Sequence, residues 1–161
     1  MSAVLAEAVL NAAREHSLRI ATAESCTGGL VAAALTAIPG SSDVVEAGLV
    51  TYSNAAKTTL LGVPQTLIAE QGAVSIQVAW AMAQGALDRT GADLAVSITG
   101  IAGPGGGSAD KPIGLVCFAL ACRGDETVTH VERFGDIGRD AVRRASVKTA
   151  LRMLHARLQD S

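Results

Sequence analysis

Residues 23–29 read Ala-Glu-Ser-Cys-Thr-Gly-Gly, and this stretch separates a short apolar segment from a helix-forming one. Residues 18–23 have the composition of a strand, whereas the leucine- and alanine-rich residues 30–37 favour a helix. The hydroxyl of Ser25 and the thiol of Cys26 therefore lie side by side at a predicted strand-to-helix turn. The glycines that follow permit close approach of a backbone or a ligand, and a helix start offers unpaired N–H groups. The turn is a candidate site for a nucleophile or an anion.

Helices and strands alternate on both sides of this turn. The patterns predict helices at 3–16, 30–37, 54–61, 76–90 and 139–158, a short turn at 64–70, and strands at 18–23, 44–51, 94–98, 113–121 and 127–134. Ser75 is a good candidate for a helix cap, and either Ser53 or Asn54 can cap the helix at 54–61. On the 76–90 helix we expect the inner face to comprise Ile76, Ala79, Trp80, Ala83 and Leu87. Alternation followed by a hairpin predicts a single α/β domain over 1–161, with three α/β/α layers and a mixed, mostly parallel sheet.

The composition excludes several classes of protein. The formal net charge is −2 and only four residues are aromatic, so we expect no binding of nucleic acid. Three cysteines without C-x-x-C spacing predict neither a metal site nor a disulfide framework. The N-terminus lacks the basic region of a signal peptide, and no apolar stretch is long enough for a bilayer span. We therefore expect a cytoplasmic protein that does not associate with membranes.

Ser25 has two interpretations, a helix cap and a nucleophile. Ala23 and Thr27 occupy the glycine positions of the G-x-S-x-G elbow, so the turn is not that of an ordinary α/β-hydrolase. Cys26 is a rival nucleophile, although a lone cysteine in such a context is more often a small buried residue. A serine nucleophile needs a base, and none of the three histidines has the setting of a catalytic triad.

Lys57 is the better candidate for a base. It lies just beyond the strand at 44–51, as Ser25 lies just beyond its own strand, and the carboxyl ends of strands in an open α/β sheet meet at one cleft. A lysine desolvated there can lose its proton and act as a base. Tyr52, at the end of the same strand, could relay a proton. The alternatives are a solvated surface lysine and a tyrosine at the edge of the core.

A glycine-rich loop follows the strand at 94–98. It opens with Thr99 and contains glycine at 100, 103, 105, 106 and 107, and such a loop frees backbone N–H groups for a phosphate or an oxyanion. It does not match the P-loop, and a flexible connection is the alternative. Arg139 opens the last helix, where a cation is poorly placed for the helix dipole. An anionic ligand or a partner surface would explain it.

The motifs taken together resemble the CinA C-terminal domain family, whose active members are nicotinamide-nucleotide amidases. The resemblance is carried by residues 22–29, 48–57 and 99–107 and by the pair Lys111-Pro112. The likeness runs over nearly the whole chain. In some members a domain similar to molybdopterin-binding proteins precedes this one. The present sequence contains only the C-terminal domain, so we expect the stand-alone form.

The resemblance implies that nicotinamide mononucleotide is hydrolysed to nicotinate mononucleotide and ammonia in pyridine-nucleotide salvage. The residues that match the family's catalytic set are Ser25, Lys57, Tyr52 and Thr99. We expect the oxyanion and the nucleotide to be bound by Thr27, Gly28, Gly29, Gly100, Gly103, Gly105 and Arg139. No metal or organic cofactor is required.

Two alternatives remain at this point. One is a non-catalytic nucleotide-binding or regulatory module linked to competence or the DNA damage response, and the other is a hydrolase that uses Cys26. The alanine-rich helices could bury a partner face, so a homo-oligomer is also an expectation.

Overall fold

Five strands form one sheet in the computed structural model, which describes residues 2–160. They are β1 (Ile20–Glu24), β2 (Val45–Val50), β3 (Leu94–Gly100), β4 (Leu115–Cys122) and β5 (Val128–Arg133). The strand order is β2-β1-β3-β4-β5. β1 is parallel to β2 and β3, whereas β4 is antiparallel to both of its neighbours, so only β4 runs against the other strands. The prediction of a mixed, mostly parallel sheet is confirmed.

Six α-helices cover the sheet among the described residues. They are α1 (Ser2–Glu15), α2 (Leu30–Thr36), α3 (Asn54–Leu61), α4 (Gln65–Gln71), α5 (Ile76–Thr90) and α6 (Arg139–Gln159), with a short 3₁₀ turn at Ser41–Asp43. Helices α1, α2 and α6 pack on the sheet face that carries Ile20, Ile98 and Phe118. Helices α3, α4 and α5 pack on the opposite face. The three-layer α/β/α architecture is therefore confirmed. No helix in this part of the chain combines the length and apolar character needed to cross a bilayer.

The α3–α5 face is built from small side chains. The buried apolar strand residues that pack there are Ala21, Ala23, Ala95, Cys117, Ala119 and Ala121, and the larger Leu49 of β2 is partly buried beside them. A Cβ atom added at Gly85 of α5 would lie 1.9 Å from the carbonyl oxygen of Leu61 in α3. Helix α5 therefore approaches both the sheet and α3 closely, as a core with few aromatic residues requires.

The predicted inner face of α5 is partly wrong. Ile76 and Trp80 are 38% and 46% exposed, and the buried positions include Val78 and Met82 instead. Apolar residues occupy more than one stripe of this helix, so periodicity alone does not select the inner face. The alanine-lined sheet leaves little room for an indole, which explains why Trp80 lies at the rim.

Helix caps and strand ends position the polar residues. The side chain of Ser75 accepts a hydrogen bond from the N–H of Val78, so this predicted cap is confirmed. At α3 the side chain of Ser53 accepts one from Ala56, so Ser53 and not Asn54 is the cap. In the sheet register Glu24 lies beside Val50 on one side and Ile98 on the other. The segments that follow β1, β2 and β3 therefore leave the sheet at the same edge.

Candidate active site

The central contact of this edge joins Lys57 and Ser25. Lys57 Nζ lies 3.0 Å from Ser25 Oγ. Both residues are buried, and Lys57 is only 1% exposed. Ser53 caps the start of α3, and the first turn of that helix directs the lysine inward. Ser25 lies on the turn between β1 and α2, where its N–H donates to the carbonyl of Ile98 in β3.

The surroundings of Lys57 combine burial with three hydrogen-bond acceptors for its Nζ atom. The Nζ atom also donates to the carbonyl oxygens of Thr51, at 3.0 Å, and Tyr52, at 3.1 Å. Burial lowers the pKa of the Lys57 ammonium below its usual value, an effect that Cys26 offsets in part. Within the described residues no carboxylate pairs with this cation. Nζ donates to Ser25 Oγ and to both carbonyls, as an ammonium with three N–H groups can. After loss of one proton, two N–H groups still suffice for the carbonyls, and the lone pair faces Ser25 Oγ.

The environment of Cys26 stabilises its unreactive thiol form. Its side chain is 6% exposed, and burial raises the pKa of its thiol to about 12. Since the thiolate is the reactive form of cysteine, this environment disfavours Cys26 as a nucleophile. Of the two neighbours at the turn, only Ser25 contacts a base.

Tyr52 contributes two different groups. Its main-chain carbonyl accepts from Lys57, whereas its hydroxyl is 3.1 Å from Nη2 of Arg139 and the residue is 60% exposed. The structure therefore does not bring the phenol to Ser25 and Lys57, as the expected proton relay requires. Arg139 also donates to the carbonyl of Gly103 at 2.8 Å, so it connects Tyr52 to the glycine-rich loop.

Thr99 and the glycine-rich loop form the opposite wall. Thr99 is 1% exposed and its hydroxyl donates to the carbonyl of Ala73. A cleft of about 280 Å³ lies between this wall and Ser25. Its lining includes all four expected catalytic residues and, of the expected binding residues, Gly100, Gly103, Gly105 and Arg139. Among the residues described, those that line the cleft carry two cationic side chains and no carboxylate.

Three expected binding residues lie elsewhere. Thr27 is fully buried and its hydroxyl donates to Glu24. The N–H of Gly28 donates to the carbonyl of Ser25, so it is engaged within the turn. Gly28 and Gly29 have φ angles of +56° and +103° and do not line the cleft. Both glycines allow the left-handed backbone conformation that the turn requires. The expected binding of an oxyanion by this segment therefore has no support in the geometry.

Sequence reasoning missed Glu24. Its carboxylate is fully buried and accepts from the N–H groups of Val31 and Ala32 at the start of α2. Strand alternation provides a signal, because it places Glu24 on the same face of β1 as the core residue Ile20. Arg143, from α6, holds the other side of the turn by donating to the carbonyls of Cys26 and Thr27.

The histidines take no part in this cleft. His130 is exposed on β5 and lies 2.8 Å from Glu132, and neither His16 nor His155 is among the lining residues. In residues 2–160 no cluster of His, Cys, Asp or Glu side chains has the arrangement of a metal site.

Comparisons with known proteins agree with the motifs. The model of the CinA C-terminal domain family matches residues 2–158. A CinA-like protein of Synechococcus sp. (strain RCC307) is 51% identical over 156 residues, which cover 96% of this chain and 37% of that protein. A CinA-like protein of Geobacter sulfurreducens is 53% identical over 94% of this chain and 36% of its own length. The chain thus spans about a third of these curated relatives.

Solved structures match over nearly their whole length. A competence/damage inducible protein from Agrobacterium tumefaciens is 52% identical, with a TM-score of 0.95, and the match covers 98% of this chain and 95% of that one. A CinA superfamily protein from Klebsiella pneumoniae is 37% identical, with a TM-score of 0.95 and coverage of 100% and 99%. On these matches and on its motifs, the chain belongs to the CinA C-terminal domain family.

Proposed function

We propose that this protein is a nicotinamide-nucleotide amidase, which hydrolyses the carboxamide of nicotinamide mononucleotide to give nicotinate mononucleotide and ammonia. The observation that carries the proposal is the 3.0 Å contact between Lys57 Nζ and Ser25 Oγ at the floor of the cleft. A serine is a weak nucleophile until an adjacent base takes its proton. The buried lysine provides that base, and its lowered pKa increases the neutral fraction.

In the first half of the reaction Ser25 Oγ bonds to the carboxamide carbon while neutral Lys57 accepts the hydroxyl proton. The C–N bond then breaks, and the Lys57 ammonium returns a proton to the leaving nitrogen, which departs as ammonia. In the second half water attacks the resulting ester, with Lys57 taking the water proton and delivering it to Ser25 Oγ. The carbonyls of Thr51 and Tyr52 accept from Nζ and hold it beside Ser25 Oγ.

The charge of the cleft supports an anionic substrate. Arg139 lies at the cleft wall and its two recorded contacts are to neutral oxygens, those of Tyr52 and Gly103. A guanidinium suits a phosphate because its planar N–H donors match phosphate oxygens. We assign the phosphate of the mononucleotide to Arg139 and the glycine-rich loop.

The size of the cleft is compatible with this substrate. Small-molecule pockets usually measure about 300–1,000 Å³, and the volume here, about 280 Å³, is just below the lower limit of that range. A compact nucleotide is therefore a better candidate than a dinucleotide or a polymer.

Ammonia release from nicotinamide mononucleotide tests the proposal, with purified wild-type protein, Ser25→Ala and Cys26→Ala compared. We expect turnover by the wild type, loss of turnover in Ser25→Ala, and near wild-type turnover in Cys26→Ala, which serves as the matched neighbour. Loss in Cys26→Ala with retention in Ser25→Ala would identify a cysteine hydrolase. Mononucleotide binding without ammonia release by well-folded wild type would favour the non-catalytic binding module.

A further inference from the structure

A buried carboxylate lies next to the proposed nucleophile without contacting the cleft. Glu24 is the last residue of β1, it is fully buried, and it is not among the cleft-lining residues. Across the described part of the chain no cation lies within ion-pair distance of it. A buried, unpaired carboxylate is costly unless hydrogen bonds compensate for the lost hydration, so its contacts require an explanation.

Four hydrogen bonds converge on this carboxylate. Oε1 accepts from Thr27 Oγ1 at 2.6 Å and from the N–H of Val31 at 2.9 Å. Oε2 accepts from the N–H of Ala32 at 3.0 Å and from Thr22 Oγ1 at 3.4 Å. The first turn of α2 contributes two of the donors, and the helix dipole favours a negative charge at that end.

These bonds span the turn that carries Ser25. Glu24 is joined covalently to Ser25 on one side, and through its carboxylate it is bonded to Thr27 and to the first turn of α2 on the other side. The N-cap residue of α2 is Gly29, which has no side chain to do this. The turn is therefore closed by a residue that precedes it, and the closure fixes both of its ends.

We propose that Glu24 is the positioning residue of Ser25: its carboxylate closes the turn and so keeps Ser25 Oγ within hydrogen-bond distance of Lys57 Nζ. The inference rests on the proposed amidase function for its kinetic consequence and on geometry alone for its structural one. Glu24 acts through the backbone of the turn, touches no substrate and exchanges no proton.

Glu24→Gln is the direct perturbation because it keeps the shape of the side chain. The amide NH₂ must replace one oxygen, so it faces the N–H of either Val31 or Ala32, and that N–H loses its acceptor. Displacement of a reacting group by about 1 Å can cost a hundredfold in rate. We expect kcat to fall by about tenfold to a hundredfold, with KM within about twofold of wild type because the cleft wall is unchanged.

Three further readouts separate positioning from general loss of structure. The midpoint of the pH–rate profile should stay close to its wild-type value, since burial and Cys26, and not Glu24, shift the pKa of Lys57. Thr27→Val removes one of the four bonds and should lower kcat, whereas Thr27→Ser keeps the hydroxyl and should restore it. Glu46→Gln, an exposed carboxylate of β2 paired with Arg19, is the matched control and should have no effect.

A crystal structure of Glu24→Gln tests the geometry without any turnover. We expect the separation of Ser25 Oγ and Lys57 Nζ to exceed about 3.5 Å, the limit of a hydrogen bond. A contact that stays at 3.0 Å, or a kcat within twofold of wild type, would overturn the proposal even if the amidase assignment holds. If Glu24→Gln does not fold, the Thr27→Val and Thr27→Ser pair decides it, and equal Oγ–Nζ distances in the two would refute the positioning role. Absence of ammonia release by the wild type would refute the amidase function instead.

Discussion

Substitutions of Lys57 distinguish two roles for this residue, a base that accepts the Ser25 proton and a fixed positive charge. Lys57→Met removes the amine while keeping a flexible apolar stem, and Lys57→Arg keeps the cation but cannot lose a proton at any working pH. If Lys57 accepts the Ser25 proton over the 3.0 Å contact, both variants should be almost inactive. If the lysine only supplies a positive charge, Lys57→Arg should retain much of the activity.

The expected magnitude follows from the role of a general base. Such groups contribute about 10²–10⁴-fold to rate, which corresponds to about 2.7–5.4 kcal/mol of activation free energy at 1.36 kcal/mol per tenfold. In Lys57→Met the carbonyls of Thr51 and Tyr52 lose a donor, at about 1–3 kcal/mol for each buried acceptor left unsatisfied. Removal of a desolvated cation offsets part of this loss. We therefore expect a folded protein with a large kinetic defect.

Steady-state ammonia release from nicotinamide mononucleotide over a range of pH is the assay. Because burial lowers the pKa of Lys57, the neutral form accumulates at lower pH than for an exposed lysine, and the wild-type rate should rise with pH to a plateau. Its midpoint should lie below the usual lysine pKa of about 10.4, and both variants should lack this inflection. Retention of at least a third of wild-type kcat by folded Lys57→Arg would refute the assignment of Lys57 as the base.

Three other predictions concern the phosphate, the thiol and the packing of α5. Arg139→Ala should raise KM for nicotinamide mononucleotide by about tenfold to a hundredfold, which corresponds to the free energy of a hydrogen bond to a charged group. KM for the riboside, which has no phosphate, should not change. Equal effects on both substrates would exclude a contact between Arg139 and the phosphate. Cys26, with its thiol pKa raised to about 12, should react with iodoacetamide at pH 8 far more slowly than the denatured protein does, because roughly one thiol in ten thousand is ionised; rapid labelling at Cys26 would contradict this environment. Gly85→Ala places a Cβ 1.9 Å from the Leu61 carbonyl oxygen and should cost about 1–3 kcal/mol, seen as a lower Tm. Gly105→Ala, with nothing within 4 Å of the added carbon, is the control and should leave Tm unchanged.

The sequence specified the architecture because its local signals agree with one another. The serines at 53 and 75 cap helices where expected, and the alternation of helices and strands produced the three layers. The face of α5 was harder to predict. Nine of its fifteen residues are apolar, and the choice between Trp80 and Met82 depends on the alanine-lined sheet against which the helix packs.

The candidate site also has features that the sequence predicts and features that it does not. Proximity of Ser25 and Lys57 follows from two strand ends at one edge of a parallel sheet, so it was predictable. The Tyr52 carbonyl contacts Lys57 while its hydroxyl contacts Arg139, and residue type alone does not tell which group of a tyrosine faces a site. The role of Glu24 depends on where α2 begins relative to β1, and element boundaries are the least certain part of a sequence-based prediction.

The acyl-enzyme intermediate is the most direct test of the central claim. Wild-type protein mixed with nicotinamide mononucleotide and hydroxylamine should form the corresponding hydroxamate, because the amine competes with water for the ester. Acid quench during turnover should place that ester on the peptide that contains residue 25, and Ser25→Ala should give neither hydroxamate nor ammonia. Undiminished ammonia release by Ser25→Ala, or the acyl group on Cys26, would contradict the account of Ser25 as a nucleophile activated by Lys57.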